Sequence, residues 1–97
     1  MVTLPFDTDN LFKMCRENDV ATLGLFGSTA RGEATEQSDI DFLVRFKKRK
    51  SLLAVVRFER ELSEVLGRQV DLITEAAISP YIRDYVLRDL TIIYDSI

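Results

Sequence analysis

The amino-acid sequence predicts one small domain of the α+β class that spans residues 1–97. Three observations support this prediction. Segments with helical periodicity alternate along the chain with short apolar runs of strand length. A hydrophobic fraction of 46% is sufficient to build a core. No internal repeat and no low-complexity linker divides the chain, so we expect a single domain.

The N-terminal part of the chain is predicted to form a helix followed by a buried strand. Over residues 7–18, apolar side chains recur at positions i, i+3 and i+4. Either Asp7 or Asp9 can cap the start of this helix. Residues 20–26 are almost continuously apolar, which is typical of a strand buried on both faces.

A turn and a second strand are expected next. Gly27 permits a sharp exit from the first strand. Ser28 is the expected N-cap of a short helix that runs to about Gly32. A polar loop over residues 33–38 then leads into a strand over residues 40–46, in which Asp41 and Leu43 point to one face and Ile40, Phe42 and Val44 to the other.

Residues 51–66 have the strongest helical pattern in the chain, and Gly67 is the expected C-terminal stop. The strand predicted over residues 69–73 follows this helix, which indicates a crossover between two roughly parallel strands. The predicted apolar stripe of the helix consists of Leu52, Val55, Val56, Leu62 and Leu66.

A last helix is predicted to begin at Ser79, as N-cap, and Pro80, as first helical residue. Residues 91–94 either form an edge strand or continue this helix, and the sequence leaves both open. The predicted apolar side of the helix consists of Ile82, Tyr85, Val86 and Leu90.

Composition and charge exclude several classes of function. A net charge of −3 argues against sequence-independent binding of nucleic acid, which needs clustered cations. The single cysteine cannot form an internal disulfide, which fits a reducing cytoplasm. No apolar run has the roughly 18 residues of a membrane helix, and residues 1–10 do not resemble a signal peptide, so we expect a cytoplasmic protein. Without histidine, any chemistry depends on carboxylates, hydroxyls, amides and cations.

Residues 45–50 form a basic stretch in an otherwise acidic chain. They carry a charge of +5, which leaves −8 for the remaining residues. Such runs are usually solvated connections, and the charge also protects a strand end from pairing wrongly. The alternative is a contact for phosphate or for an acidic partner.

Three aspartates are the candidate catalytic and metal-binding residues. Asp39 and Asp41 are two positions apart on one strand, so both side chains point to one face, with Cα atoms about 6.6 Å apart. If the strand that carries Asp71 is the neighbouring one, Asp71 lies about 5 Å to the side. Carboxylates this close repel one another unless a cation lies between them, and Mg²⁺ prefers such oxygen ligands.

A second group of residues is expected to bind a nucleotide. The amides after Gly27 and the Ser28 hydroxyl can hold a triphosphate at a helix N-terminus. Arg31 adds positive charge against the leaving pyrophosphate. Ser38 is the remaining candidate, although its alternative role is to orient Asp39. Each feature alone is common in turns and loops, and only their joint order along the chain favours a nucleotide site.

These motifs resemble those of a known family. The segment GSTARG at residues 27–32 and the segment SDIDFLV at residues 38–44 resemble the signature of the minimal nucleotidyltransferase (MNT) domains. These domains belong to the DNA polymerase β-like nucleotidyltransferase superfamily. The resemblance continues through VDLI at residues 70–73, where the third acid lies, and SPYI at residues 79–82.

The resemblance implies a small mixed β-sheet with flanking helices and Mg²⁺-dependent transfer of a nucleoside monophosphate. It implies that Gly27 and Ser28 bind the triphosphate and that Asp39, Asp41 and Asp71 bind the metal. It also implies a partner, because many MNT proteins are antitoxins that adenylylate a tyrosine of a HEPN ribonuclease toxin.

We therefore expect an enzyme that uses Mg²⁺ to transfer AMP from ATP to a protein partner, a HEPN-type toxin. One alternative is a non-catalytic antitoxin that neutralises its toxin by binding alone. Another is a nucleotidyltransferase that modifies a small molecule. A nucleic-acid partner is not expected, and the sequence leaves the oligomeric state open.

Overall fold

The computed structural model describes residues 6–33, 35 and 37–96 of the protein. Residues 1–5, 34, 36 and 97 lie outside the described residues, so both ends of the predicted 1–97 domain and two positions of the predicted polar loop are not covered. In chain order the elements are α1 Thr8–Glu17, β1 Val20–Phe26, α2 Gly27–Ala30, β2 Ile40–Phe46, α3 Leu52–Leu66, β3 Val70–Thr74, a 3₁₀ turn Glu75–Ala77, α4 Pro80–Arg88 and β4 Thr91–Asp95.

The four strands form one mixed sheet in the order β3-β2-β1-β4. β1 pairs antiparallel with both β2 and β4. β2 and β3 are parallel, and α3 connects them. The predicted α+β class, with a small mixed sheet and flanking helices, is confirmed. The segment 91–94, which the sequence left open, belongs to β4.

Several helix ends follow the local sequence signals. The Asp7 side chain caps α1 by accepting hydrogen bonds from the N–H groups of Asp9 and Asn10. The Ser51 side chain caps α3, and Gly67 ends that helix in the left-handed region with φ of 66°. Among the described residues, no helix is both long enough and apolar enough to cross a membrane.

The prediction that Ser28 caps α2 is wrong. The helix already begins at Gly27, after Phe26 in extended backbone, and no side-chain capping bond is made. It ends at Ala30 and not near Gly32. The physical reason is that Gly27 makes the turn itself, with φ of +74°, so the chain enters the helix without a spacer residue.

The apolar stripe of α3 was predicted only in part. Leu62 is fully buried, but Leu52 and Val56 are 80% and 43% exposed. Phe58, which the predicted stripe omitted, is buried in the core instead. At 100° per residue, Val56 lies about 120° around the helix from Leu62, whereas Phe58 lies within about 40° of it. Leu52, the first helical residue, lines an open groove.

Helix α4 begins as predicted, with Ser79 as N-cap and Pro80 as the first helical residue. Val86 is fully buried, as expected for its apolar side. Ile82 and Tyr85 are 40% and 45% exposed, because they face a cavity and not the core.

Two hydrophobic clusters lie on opposite faces of the sheet. The larger one packs α1 and α3 against the face that carries Ile40, Phe42 and Val44. The smaller one packs Val86 of α4 against Leu43, which points to the opposite face because side chains alternate along a strand. The same alternation directs the side chain of Asp41, which lies two residues before Leu43, to the face that carries α4.

Candidate active site

The candidate site forms where the end of β1 meets the start of β2. Phe26 is paired with Asp41 in the antiparallel register, so the turn at Gly27 lies beside the Asp41 carboxylate. A Cβ atom at Gly27 would collide with Oδ2 of Asp41. A residue without a side chain therefore allows the backbone to approach this carboxylate closely.

Asp41 and Asp71 are direct neighbours across the parallel β2–β3 pair. Neighbouring strands are about 4.8 Å apart, so the two side chains stand together on one face. The pKa of Asp41 is raised to about 6. Burial is the main cause, the charges of Asp71 and Asp39 and a hydrogen bond with Asp71 act in the same direction, and the charge of Arg31 acts against them. The geometry thus favours a proton or a cation between the two carboxylates.

Asp39 is exposed just before β2 begins and acts on Asp41 through its charge. Across the described ranges 6–33, 35 and 37–96, no three cysteine or acidic side chains are placed to share one metal ion. The structure thus brings Asp41 and Asp71 together as a pair and leaves Asp39 beside it. Mg²⁺ prefers oxygen ligands, so the carboxylates of Asp41 and Asp71 beside the turn at Gly27 are suitable ligands for it. The metal-binding role of the three acids stays a prediction.

Arg31 lies at the rim of the site, where its charge lowers the pKa of Asp41. Its Nε is 3.0 Å from the Glu33 carboxylate, and its Nη1 is 3.1 Å from that of Asp89. These two carboxylates, Glu33 first, raise the pKa of Arg31. The guanidinium therefore links the end of α2 to the end of α4.

The two predicted serines have different surroundings. Ser28 is half-buried in the first turn of α2, where the backbone N–H groups have no partner within the helix. Ser38 belongs to the loop before β2, and its hydroxyl accepts a hydrogen bond of 2.9 Å from the N–H of Thr35. Arg68 donates to the carbonyl oxygen of Ser38 at 2.6 Å. The nucleotide-binding role of both serines stays a prediction.

A cavity of about 380 Å³ opens at the paired carboxylates. Three acids contribute to its lining, and the other lining residues are apolar or aromatic. The residues that line it are Phe26, Asp41, Glu59, Asp71, Leu72, Ile73, Ile82, Tyr85 and Val86.

Glu59 is a residue of this cavity that the sequence interpretation missed. It accepts a hydrogen bond of 2.8 Å from the N–H of Leu72. A signal was present, because Glu59 falls on the helical stripe between Val55 and Leu62, where an acid needs a polar partner. The sequence did not reveal which partner that would be.

The basic stretch 45–50 lies at the other end of β2. Nζ of Lys48 and of Lys50 are 3.3 Å and 2.9 Å from one carboxylate oxygen of Asp19. These two lysines therefore have a structural role. The stretch also lines a separate groove of about 420 Å³, for which the alternative of an anionic ligand stays a prediction.

Comparison with known proteins identifies relatives of the chain. The family described as nucleotidyltransferase domain matches residues 9–93. The protein adenylyltransferase MntA of Thermococcus cleftensis is 42% identical over 71 residues, which represent 73% of this chain and 72% of that protein.

Solved structures share the fold. A crystal structure described as a toxin–antitoxin with AMP-PNP matches with a TM-score of 0.80 and 23% identity, over 93% of this chain and 74% of that chain. A complex described as the tri-AMPylated Shewanella oneidensis HEPN toxin with MNT antitoxin matches with a TM-score of 0.71 and 21% identity, over 91% of this chain and 69% of that chain.

Proposed function

Because the chain belongs to the nucleotidyltransferase domain family and is therefore a nucleotidyltransferase, we propose that it uses Mg²⁺ to transfer AMP from ATP to a tyrosine of a HEPN-type toxin. It would thereby act as an antitoxin. The observation that carries this proposal is the Asp41–Asp71 pair beside the turn at Gly27.

The triphosphate is proposed to lie at the start of α2. There the backbone of Gly27 approaches the Asp41 carboxylate closely, and the amides of a first helical turn bind phosphate oxygens. Mg²⁺, when bound by Asp41 and Asp71 with Asp39, supplies positive charge to the phosphates and to the reacting oxygens. Without such charge, the aspartates would repel the anionic substrate.

Two further residues at the rim are proposed to support nucleotide binding, one directly and one through Asp39. Arg31 carries a positive charge close enough to affect Asp41, and one of its carboxylate partners could be exchanged for the leaving pyrophosphate. Ser38 is next to Asp39 in the loop before β2 and would orient that acid.

The transfer step is a displacement at the α-phosphorus of ATP. The acceptor hydroxyl oxygen forms a new bond to this phosphorus, and the bond from the phosphorus to the oxygen bridging to the β-phosphate breaks. Pyrophosphate leaves with that electron pair. The hydroxyl proton passes to a carboxylate oxygen of Asp71, which is exposed at the cavity.

The shape of the cavity supports a tyrosine as the acceptor. Its lining combines apolar side chains, such as Phe26 and Ile82, with the carboxylates of Asp41 and Asp71. A phenol has the matching division, with an apolar ring and one polar atom. A small polar acceptor would leave these apolar walls in contact with water.

The partner and the location are proposed from the relatives. The name of the Thermococcus cleftensis relative states that its acceptor is a protein. The Shewanella oneidensis complex contains a HEPN toxin that carries AMP. A single cysteine without an internal disulfide fits the cytoplasm, where such a toxin and ATP would be encountered.

The test is to incubate the purified protein with ATP, Mg²⁺ and a HEPN-type toxin encoded beside it. Intact-mass spectrometry should show the toxin gaining the mass of AMP. We expect Asp41→Asn to lower the transfer rate ~10²–10⁴-fold, because metal-borne stabilisation is worth several kcal/mol. Asp84→Asn, which removes an exposed aspartate of α4, is the matched control and should transfer at the wild-type rate.

Two outcomes would contradict the proposal. Transfer by Asp41→Asn at the wild-type rate would remove the role of the carboxylate pair. Full protection of cells by Asp41→Asn, with no AMP on the toxin, would instead favour neutralisation by binding alone. Replacing the modified tyrosine of the toxin by phenylalanine checks the acceptor, since phenylalanine has no oxygen to accept AMP.

A further inference from the structure

The outer edge of β3 is tied to α3 by two side chains. β3 is an edge strand of the sheet that the described residues form, so within that sheet its outward N–H groups have no strand partner. The N–H of Leu72 donates to Oε2 of Glu59 at 2.8 Å, and the N–H of Val70 donates to Oγ of Ser63 at 3.1 Å. The Ser63 hydroxyl in turn donates to the carbonyl oxygen of Glu59 at 3.1 Å.

The spacing of the two elements explains why both bonds form. Glu59 and Ser63 are four residues apart, which corresponds to a rise of about 6 Å along a helix. Val70 and Leu72 are two residues apart, which corresponds to about 6.6 Å along a strand. Two successive outward amides of β3 therefore meet two successive turns of α3.

Asp71 lies between these two anchored residues. Its side chain points to the opposite face from Val70 and Leu72 and stands beside Asp41. When both carboxylates are ionised, their repulsion pushes the edge strand away from β2, whereas the two bonds with α3 hold the outer edge of β3 in place. The two bonds therefore oppose the displacement that would separate the carboxylates.

We propose that Glu59, assisted by Ser63, is a positioning residue that holds Asp71 beside Asp41 for nucleotidyl transfer. The inference rests on the proposed function. Glu59 acts through its bond to the Leu72 amide, and a neutral side-chain oxygen at the same position can accept that bond equally well. Glutamine should therefore replace it and alanine should not.

The experiment compares Glu59→Ala with Glu59→Gln in the transfer assay. Loss of a residue that orients a ligating carboxylate typically costs ~10–100-fold in activity. We expect Glu59→Ala to lower kcat by about this factor, with KM for ATP close to the wild-type value, because the triphosphate is proposed to bind beyond β2. Glu59→Gln should recover most of kcat. Glu64→Ala, at an exposed position of the same helix, is the matched control and should behave as wild type.

Two measurements on the metal-free and Mg²⁺-loaded protein do not require transfer. Hydrogen exchange of the Leu72 amide should accelerate in Glu59→Ala and stay slow in Glu59→Gln. Mg²⁺ should raise the melting temperature of wild type and of Glu59→Gln by more than that of Glu59→Ala. The reason is that wild type and Glu59→Gln keep Asp71 beside Asp41, where the two carboxylates can bind the ion together. If wild type transfers no AMP, the proposed function fails, and these two measurements still decide the positioning role.

Two outcomes would overturn the inference. One is that Glu59→Ala keeps the wild-type kcat and the wild-type rise in melting temperature with Mg²⁺, although its Leu72 amide exchanges rapidly. The bond to Leu72 would then be broken without any effect on Asp71. Another is equal loss in Glu59→Gln and Glu59→Ala with the amide protected, since the charge of Glu59 would then matter directly. If Glu59→Ala does not fold, Ser63→Ala takes its place and should show the same pattern to a smaller extent.

Discussion

Gly27 and Gly32 have the same backbone conformation, with φ of +74° at both positions, but different surroundings. A Cβ atom at Gly27 would collide with Asp41, whereas a Cβ atom at Gly32 would meet no atom of the described residues within 4 Å. An alanine in the left-handed region costs about 1–2 kcal/mol at either position. At Gly27, the added methyl group must also displace the carboxylate that is proposed to bind the metal.

We therefore expect Gly27→Ala to abolish transfer and Gly32→Ala to preserve it. A displacement of about 1 Å at the reacting groups can cost ~10²-fold in rate. Gly32→Ala should lower the melting temperature by roughly 4–16 °C, from about 4–8 °C per kcal/mol for a domain of this size. Thermal melts and transfer rates of both variants check this. Equal activity in the two would show that the close approach to Asp41 is not needed.

Asp41 is the titrating residue of the site, and its pKa gives a prediction for the metal-free protein. Its pKa is raised from the ordinary aspartate value of 3.8 to about 6 in the folded state, with burial as the main cause. Folding therefore favours its protonated form. The contribution of Asp41 to the free energy of unfolding is full below about pH 4 and is lost as the pH rises through about 6.

Asp41→Asn removes this dependence. In EDTA, wild type loses stability between pH 4 and pH 7 as Asp41 ionises, whereas Asp41→Asn does not. The melting temperature of the variant should therefore rise relative to that of wild type over this range. Mg²⁺ should make this relative rise smaller, because it stabilises the ionised Asp41 of wild type. The control is Asp84→Asn, for which the difference should stay flat. A flat difference for Asp41→Asn as well would show that the carboxyl titrates as in the unfolded chain.

At the scale of the element, α3 has two faces that differ in what they support. Phe58 is buried and Leu52 is 80% exposed. We expect Phe58→Ala to destabilise the domain by about 3–5 kcal/mol, because it removes a core ring and leaves a cavity. Leu52→Ala should change stability by less than about 0.5 kcal/mol. Urea denaturation of both variants measures the free energy of unfolding. Similar losses of stability in the two variants would contradict the assignment of Phe58 to the buried face of α3 and of Leu52 to the exposed face.

Local signals predicted the elements better than their orientation. Caps such as Asp7, the stop at Gly67 and the start at Pro80 are encoded within a few residues, and the sequence indicated them correctly. The face that α3 buries is decided by its contacts with β3 and the sheet, which are distant in sequence. For this reason Val56 was misplaced and the bond of Glu59 to β3 could not be foreseen.

At the scale of the whole molecule, the site depends on strand order. β2 is paired on one side with β1, which ends at Gly27, and on the other with β3, which carries Asp71. The parallel direction of β2 and β3 followed from the predicted crossover helix, whereas their pairing and the register that aligns Asp41 with Asp71 came from the structure. The cavity walls come from α4 and the end of β1, and no local pattern in the sequence predicted that they would meet there.

Without metal, the stability of the whole domain should be lowered by the repulsion between Asp41 and Asp71. Two charges about 5 Å apart interact by about 3 kcal/mol at an effective dielectric constant of 20. Since the site is open to solvent, we reduce this to roughly 1–2 kcal/mol. The folded state must hold this repulsion between β2 and β3, whereas the unfolded chain relaxes it. Neutralising one partner should therefore stabilise the metal-free protein.

We expect Asp71→Asn to melt above wild type in EDTA, by about 4–8 °C for each kcal/mol of relieved repulsion. Mg²⁺ should narrow this gap, because a bound cation offsets the repulsion in wild type alone, and the variant should not transfer AMP. Asp84→Asn serves as the control for the loss of an exposed carboxylate. An aspartate with a purely structural role would behave in the opposite way, since its neutralisation removes a stabilising contact. If Asp71→Asn melts below wild type in EDTA, the two carboxylates are not held against their repulsion. Asp71 would then have a structural role and would not share a cation with Asp41.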